Sequence, residues 1–316
     1  MAPADDDISI EEKRVYAGAA GRTDAYVATG TGVVRVALSA DKVGAFDMVS
    51  RDPARDVAVH PGGGDTPDVV GVATPNGLLV SPVGDELTFG RVETGPIVAV
   101  GSHGDSFVVA GEDGRIDRVE VENADTDDWR GETAGTGEGN DPTVTRIGSV
   151  PDPTAIDGPL VAAADGVHRI AECDASASGQ ELVSVGLADA RDVAGAGVPL
   201  AATAEGLYWL GNGWMTAVED DAEAVAADGD GHAMAVVGGD LFVRNAATSA
   251  GGGWGADAWT ESELPVDERG VALGYGPGIS VVVTAAGTLC VDAGDGWRHQ
   301  VVGVREVGGV ALGVVE

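Results

Sequence analysis

The chain has 316 residues, and its 52 Asp and Glu against 18 Lys and Arg give a formal net charge of −34. Such a surface repels itself in dilute buffer and is relieved by concentrated salt, where the Debye length falls to about 3 Å at 1 M. A balance this acidic excludes bare nucleic acid and anionic membranes as general ligands, because phosphate binding requires a basic footprint.

Residues 1–24 read as an acidic tail with short apolar alternations at Ile8–Ile10 and Val15–Tyr16. The tail has neither the basic start nor the apolar core of a signal peptide, and no stretch of the chain reaches the ~18 apolar residues of a membrane span. A cytoplasmic location is therefore expected. Ala25–Gly30, Val33–Leu38 and Phe46–Ser50 follow as three strands of a unit that lacks its first.

The next unit shows the full pattern: Ala54–His60, Val69–Thr74, the turn Pro75-Asn76-Gly77, Leu78–Val80 and Leu87–Glu93. Asn-Gly between apolar runs marks a tight hairpin, since a primed turn needs positive φ at both central residues. The same sequence of strand, strand, turn, strand, strand recurs from Pro96, Pro159, Ala190, Ala222 and Gly270. Between Glu122 and Asp141 lies an insertion with seven acidic residues and a single Arg130. Its composition buries too little apolar surface to offset ordering entropy, so 122–142 is expected to be a solvated loop. At the end of the chain, Val307–Leu312 matches only first strands and supplies the piece missing from the N-terminal unit.

Turn glycines fall at positions 32, 77, 114, 166, 206, 239 and 287, a spacing of roughly 42 residues that fits four-stranded propeller blades. The expectation is one all-β domain over 1–316, a seven-bladed β-propeller of antiparallel blades. It would be closed by pairing the C-terminal strand with three N-terminal ones. Gly211–Trp214, Gly251–Trp254 and Gly294–Trp297 each place a tryptophan after a glycine-rich turn. They are similar to the Asp-box turn of sialidase-like propellers without its Ser/Thr-x-Asp opening, and are read as blade-packing residues. The Trp-Asp dipeptide of WD40 blades is absent from the sequence.

Glu11–Tyr16 and the Tyr26–Val36 hairpin, with the rest of the chain around them, resemble a β-propeller family of haloarchaea. The resemblance implies the fold and a salt-adapted habitat, and attaches no activity and no catalytic residues.

Chemistry must come from the residues themselves. Arg55, Arg191, Arg269 and Arg305 stand at or just before first strands, on the face where a propeller channel opens. They are the candidate ligand-binding residues, and bidentate guanidinium suits carboxylate or phosphate. The competing reading pairs Arg55 and Arg191 with Asp56, Asp192 or acidic turns such as Asp165 and Glu205. The five histidines fall in different blades, and Cys173 and Cys290 lack metal-type spacing, so they are read as free thiols in a reducing cytosol. Asp228-Gly-Asp-Gly231 lacks the further carboxylates of a calcium loop. There is no Gly-x-Ser-x-Gly, His-Glu-x-x-His or phosphate loop in the sequence. No metal and no cofactor is called for.

These observations favour a monomeric, non-enzymatic binding scaffold for a protein partner or an anionic small molecule. The alternative is a propeller hydrolase, lactonase-like or glycosidase-like, with a carboxylate pair that sequence does not single out among so many acids. The charge itself is testable: thermal melting should shift upward from low salt to multimolar KCl as repulsion is screened. Identical melting temperatures across that range would refute salt adaptation.

Overall fold

The structure, a computed structural model, describes residues 22–39, 42–63, 66–120, 142–172, 180–244 and 253–315. The expected tail up to residue 21, the acidic insertion over 122–141 and Cys173 lie outside the described residues. Among the described residues, 28 strands form seven four-stranded antiparallel sheets. Among the described residues, no helix is long and apolar enough to cross a membrane.

Each sheet is one blade, with the first strand innermost. The first strands are Val307–Val315 in blade 1, Asp56–His60 in blade 2, Ile97–His103 in blade 3 and Pro153–Asp157 in blade 4. Blades 5, 6 and 7 begin at Ala190–Ala194, Ala222–Ala227 and Gly270–Gly276. Blade 1 takes its other three strands, Arg22–Thr29, Gly32–Ser39 and Lys42–Ser50, from the opposite end of the chain. Its second strand starts at Arg22, three residues earlier than the sequence pattern suggested, and pairs with the C-terminal strand from Arg22↔Val315 to Thr29↔Val307. The blade 2 outer strand is shorter than its apolar alternation implied, covering only Gly90–Val92.

All seven turn glycines adopt positive φ, from 82° at Gly114 to 157° at Gly206. At Gly114 a Cβ would also sit 2.2 Å from the Val150 carbonyl oxygen just past the outer strand, so the site demands glycine twice over. Threonine fixes several of these turns from the other side. The Thr29 hydroxyl donates to the Gly32 carbonyl at 2.7 Å, Thr74 to Gly77 at 2.6 Å and Thr203 to Gly206 at 3.1 Å.

The apolar core is a ring of layers, each shared by two neighbouring blades. Val34, Val36 and Leu38 of blade 1 face Ile279, Val281 and Leu289 of blade 7, and Leu78 and Val80 of blade 2 face Phe107 and Val109 of blade 3. Valine and alanine dominate because blade faces must approach closely along their whole length. Where a large ring intrudes, a glycine yields: a Cβ on Gly71 would lie 2.7 Å from the Phe107 ring.

The tryptophans seal these layers near their outer ends. Trp214 Nε1 of blade 5 donates to the Val185 carbonyl of blade 4 at 2.9 Å, and Trp297 Nε1 of blade 7 meets Ser262 Oγ at 3.3 Å. Trp254 and Trp259 are buried against Leu200 and Leu207 of blade 5, and the Arg244 guanidinium stacks 3.8 Å above the Trp254 ring. Cys290 is a buried thiol of the blade 6–7 layer, and burial pushes it up to about 12.

Deleting 306–316 removes the innermost strand of blade 1 and uncovers both neighbouring layers. The expected result is loss of a cooperative melting transition and aggregation. A truncated chain that melts like the full one would show that closure does not depend on this strand.

Candidate functional site at the channel mouth

The first strands surround a central channel with a cavity of about 390 Å³. All run the same way, because each starts beside the turn joining its blade's second and third strands. That common end is the channel mouth.

At the mouth six of the seven first strands slip, all but that of blade 2. Pairing with the second strand skips one residue between Ile97 and Ala99, Pro153 and Ala155, Ala190 and Asp192, Ala222 and Ala224, and Gly270 and Ala272. A bulge of this kind turns the extra residue out of the ladder. Val98, Thr154, Arg191, Glu223 and Val271 are therefore presented to the channel, with Gly308 of blade 1 and Arg55 of blade 2 in the matching positions. The sequence pattern located these strands but gave no sign of the bulge ring.

Every polar member of the ring is tied to the blade that follows it. Arg55 pairs with Glu112 and donates to the Ile97 carbonyl at 3.2 Å, both in blade 3. Thr154 Oγ1 donates to the Ala190 carbonyl of blade 5 at 3.0 Å. Arg191 meets Asp221, just ahead of blade 6, at 2.6 Å, and Glu223 pairs with Arg269, just ahead of blade 7.

Of the four candidate arginines, the structure brings Arg55 and Arg191 to the channel lining. Arg269 stands beside the mouth, half-exposed, through its link to Glu223. Arg305 is exposed in the loop whose Glu306 carbonyl accepts from Gly30 N, and it does not line the channel. The acidic partners found, Glu112, Asp221 and Glu223, differ from the Asp56, Asp192, Asp165 and Glu205 considered from sequence.

Asp56 and Asp192 are engaged elsewhere. One oxygen of Asp56 accepts the Val57 N–H at 2.8 Å, and the other accepts the Val100 N–H of blade 3 at 2.9 Å. Asp192 repeats the arrangement with Val193 at 2.9 Å and with Val225 of blade 6 at 2.8 Å. Asp157 reaches from blade 4 to Gly195 N of blade 5 at 2.7 Å. These carboxyls are enclosed by protein on the channel wall and reach water through the channel. Burial pushes Asp56 and Asp192 up to about 7 against the pull of their N–H donors, with neighbouring channel carboxylates adding to the rise. Asp157 is also raised, by burial.

The histidines stay apart. His60 Nδ1 lies 2.9 Å from Ser102 Oγ at the far end of the channel, with its ring edge-on to Phe107. His168 meets Asp165 at 2.8 Å, and His232 meets Asp228 at 2.6 Å. Asp228 Oδ1 also accepts the Asp230 and His232 N–H groups, closing the acidic turn on itself. Among the described residues, no group of three His, Cys, Asp or Glu is placed to hold a metal ion.

A carboxyl whose folded pKa lies above its ordinary 3.8 stabilises the fold fully below that value, and the contribution disappears as pH rises through about 7. Melting of the wild type should therefore lose ground to the Asp56→Asn, Asp192→Asn variant between pH 4 and pH 8 at fixed high salt. A stability difference that stays flat across the window would mean that these groups do not titrate there.

No curated protein matches the chain in sequence. Among solved structures, the chain is similar to YCF48 bound to D1 peptide, with TM-score 0.53 and 14% identity over 84% of this chain and 95% of that one. It is similar to apo AztD from Citrobacter koseri, with TM-score 0.53 and 10% identity over 93% and 99%. The WD40 beta propeller domain of Doa1 gives TM-score 0.52 and 14% identity over 83% and 89%. Likeness at these identities concerns the fold alone. The model of the HVO_0234-like, beta propeller family matches residues 9–313, and the chain belongs to that family.

Proposed function

We propose that this protein is a non-enzymatic binding scaffold whose partner engages the channel-mouth face. The observation that carries the reading is the ring at the mouth: six blades each turn one side chain into a single opening, with Gly308 in the seventh position, and the polar members are held in position by the next blade. Groups fixed in this way suit recognition, because little side-chain freedom is lost when a partner arrives. The channel carboxyls are occupied by backbone N–H donors, which favours a scaffold over a lactonase-like or glycosidase-like hydrolase. YCF48, a distant structural neighbour, is found with D1 peptide, and a protein or peptide partner is the corresponding reading here.

Arg55 and Arg191 are the residues assigned to contact. Their side chains are 35% and 40% exposed, so each retains N–H donors for a partner's carboxylate or for an anionic small molecule. Arg269 and Arg305 extend the cationic side of the same face. The setting is the cytoplasm of a salt-adapted, haloarchaeal cell, with the chain as a monomer. There, short-range guanidinium contacts survive the screening that removes the repulsion of the surrounding acids.

The test replaces Arg55 and Arg191 by Gln in the full chain and follows melting and partner capture from a high-salt lysate. Partly exposed ion pairs of this kind contribute about 0.2–1 kcal/mol each, so melting should drop by only a few degrees while captured partners are lost. Unchanged capture with reduced stability would refute the assignment and leave these arginines as blade links.

A further inference from the structure

Two residues below the mouth-lining positions, each first strand turns one backbone N–H group into the channel, and the chain's own side chains cover this ring unevenly. Val57, Val100, Val193 and Val225 donate there to carboxylates. Ile156, Leu273 and Val310 stand in the same register: each lies opposite the residue two before the end of its second strand, as Val57 lies opposite Val72 and Val100 opposite Val109. Successive N–H groups of a strand face opposite edges, so these three face the channel too. Among the described residues, no side chain accepts them.

The covering is done in pairs, because one carboxylate spans two neighbouring blades. Asp56 takes Val57 of its own blade with one oxygen and Val100 of the next blade with the other, and Asp192 takes Val193 and Val225 likewise. The seven N–H groups therefore divide into bridged pairs on blades 2–3 and 5–6, a single group on blade 4, and an open pair on blades 7 and 1. Blade 7 carries Ala272 in the register that holds Asp56 and Asp192. Blade 1 follows with Gly308 and Gly309, so it adds no side chain above the pair. Ala272, Leu273, Gly309 and Val310 all border the channel cavity.

We propose that the channel binds a ligand carboxylate between blades 7 and 1, its two oxygens accepting the Leu273 and Val310 N–H groups as Asp56 and Asp192 accept theirs. N–H groups bond an ionised acceptor more strongly than a neutral one, which favours a carboxylate over water. This inference rests on the mouth-face reading, since the rest of the ligand leaves the channel past Arg55 and Arg191. A small organic acid and the C-terminus of a peptide present the same group. Asp56 stands beside the pair: a Cβ on Gly309 would lie 2.5 Å from its Oδ1. Burial lifts Asp56 and Asp192 up to about 7 and raises Asp157 as well, so below that value little wall charge opposes an incoming anion.

Backbone amide resonances of the full chain read the pair directly. At pH 6, with KCl exchanged stepwise for potassium acetate at constant multimolar salt, the Leu273 and Val310 amides should shift along a saturating curve. Ala272→Asp supplies the chain's own carboxylate and should abolish that response with Arg55 and Arg191 untouched. Asp56→Ala should open a second pair, so that Val57 and Val100 then answer acetate too. Tri-alanine binding more tightly than acetate, with its C-terminal amide silent, assigns a peptide terminus as the source; acetate binding as tightly as tri-alanine assigns a small acid. No saturating shift at Leu273 and Val310, or the same shift in Ala272→Asp, overturns the proposal. Where Ala272→Asp does not fold, silent Val57 and Val100 amides in Asp56→Ala overturn it instead. Such a failure leaves the mouth-face reading standing, because acetate probes the pair alone and partner capture by the arginine variants tests the mouth.

Discussion

Close approach of neighbouring blades is the constraint on which the other features of this molecule depend. Each apolar layer is shared by two blades, so no blade owns a core and none is stable alone. The layers must be thin, which selects Val and Ala and puts glycine wherever a larger ring such as Phe107 pushes across. They must also close into a cycle, which requires the first and last strands of the chain to meet in blade 1. Low large-apolar content and high glycine content, which could pass for adaptation to salt alone, are also what this geometry needs.

The polar chemistry of the mouth follows from the same constraint. Where inner strands converge, backbone groups of adjacent blades come within reach of side chains, and the residue at the start of each first strand is placed to exploit that. Arg, Thr and Glu at the bulge position reach forward to the next blade, and Asp one residue later captures an N–H there. The repeated Ala-Arg-Asp-Val-Ala of blades 2 and 5 is therefore a two-residue fastening. Of this fastening, the guanidinium keeps partial exposure.

Much of the fold was legible in the sequence, because period-2 apolar runs and turn glycines are local signals. Gly32, Gly77 and Gly114 announced their turns through the need for positive φ. The Val307–Leu312 run announced closure because nothing near it could complete its blade. The site was legible only in part. Arg55 and Arg191 were located by their scarcity and their place before a strand. Their partners Glu112 and Asp221 lie in a neighbouring blade and its lead-in, and which of many acids lies nearest is decided by packing. The role of Asp56 was hidden for a related reason: its partner is a backbone N–H, and backbone carries no sequence signature. One signal was present and unused, the Thr-x-x-Gly spacing of Thr29, Thr74 and Thr203, whose hydroxyls staple the turns.

The closure of blade 1 has a consequence for the order in which the protein can assemble. Because Arg22 pairs with Val315, one sheet joins residues separated by nearly the whole chain, and such contacts form late and slowly. A ribosome making this chain releases blades 2 to 7 in succession, each able to dock on its predecessor. The three outer strands of blade 1, made before blade 2, have no inner neighbour until Val307–Val315 is made. The nascent ring therefore stays an open arc, its end layers wet, until that strand is made. In a closed cycle the position of the seam is arbitrary, so a permuted chain cut between two complete blades would trade this late event for a local one and reach the same ring sooner.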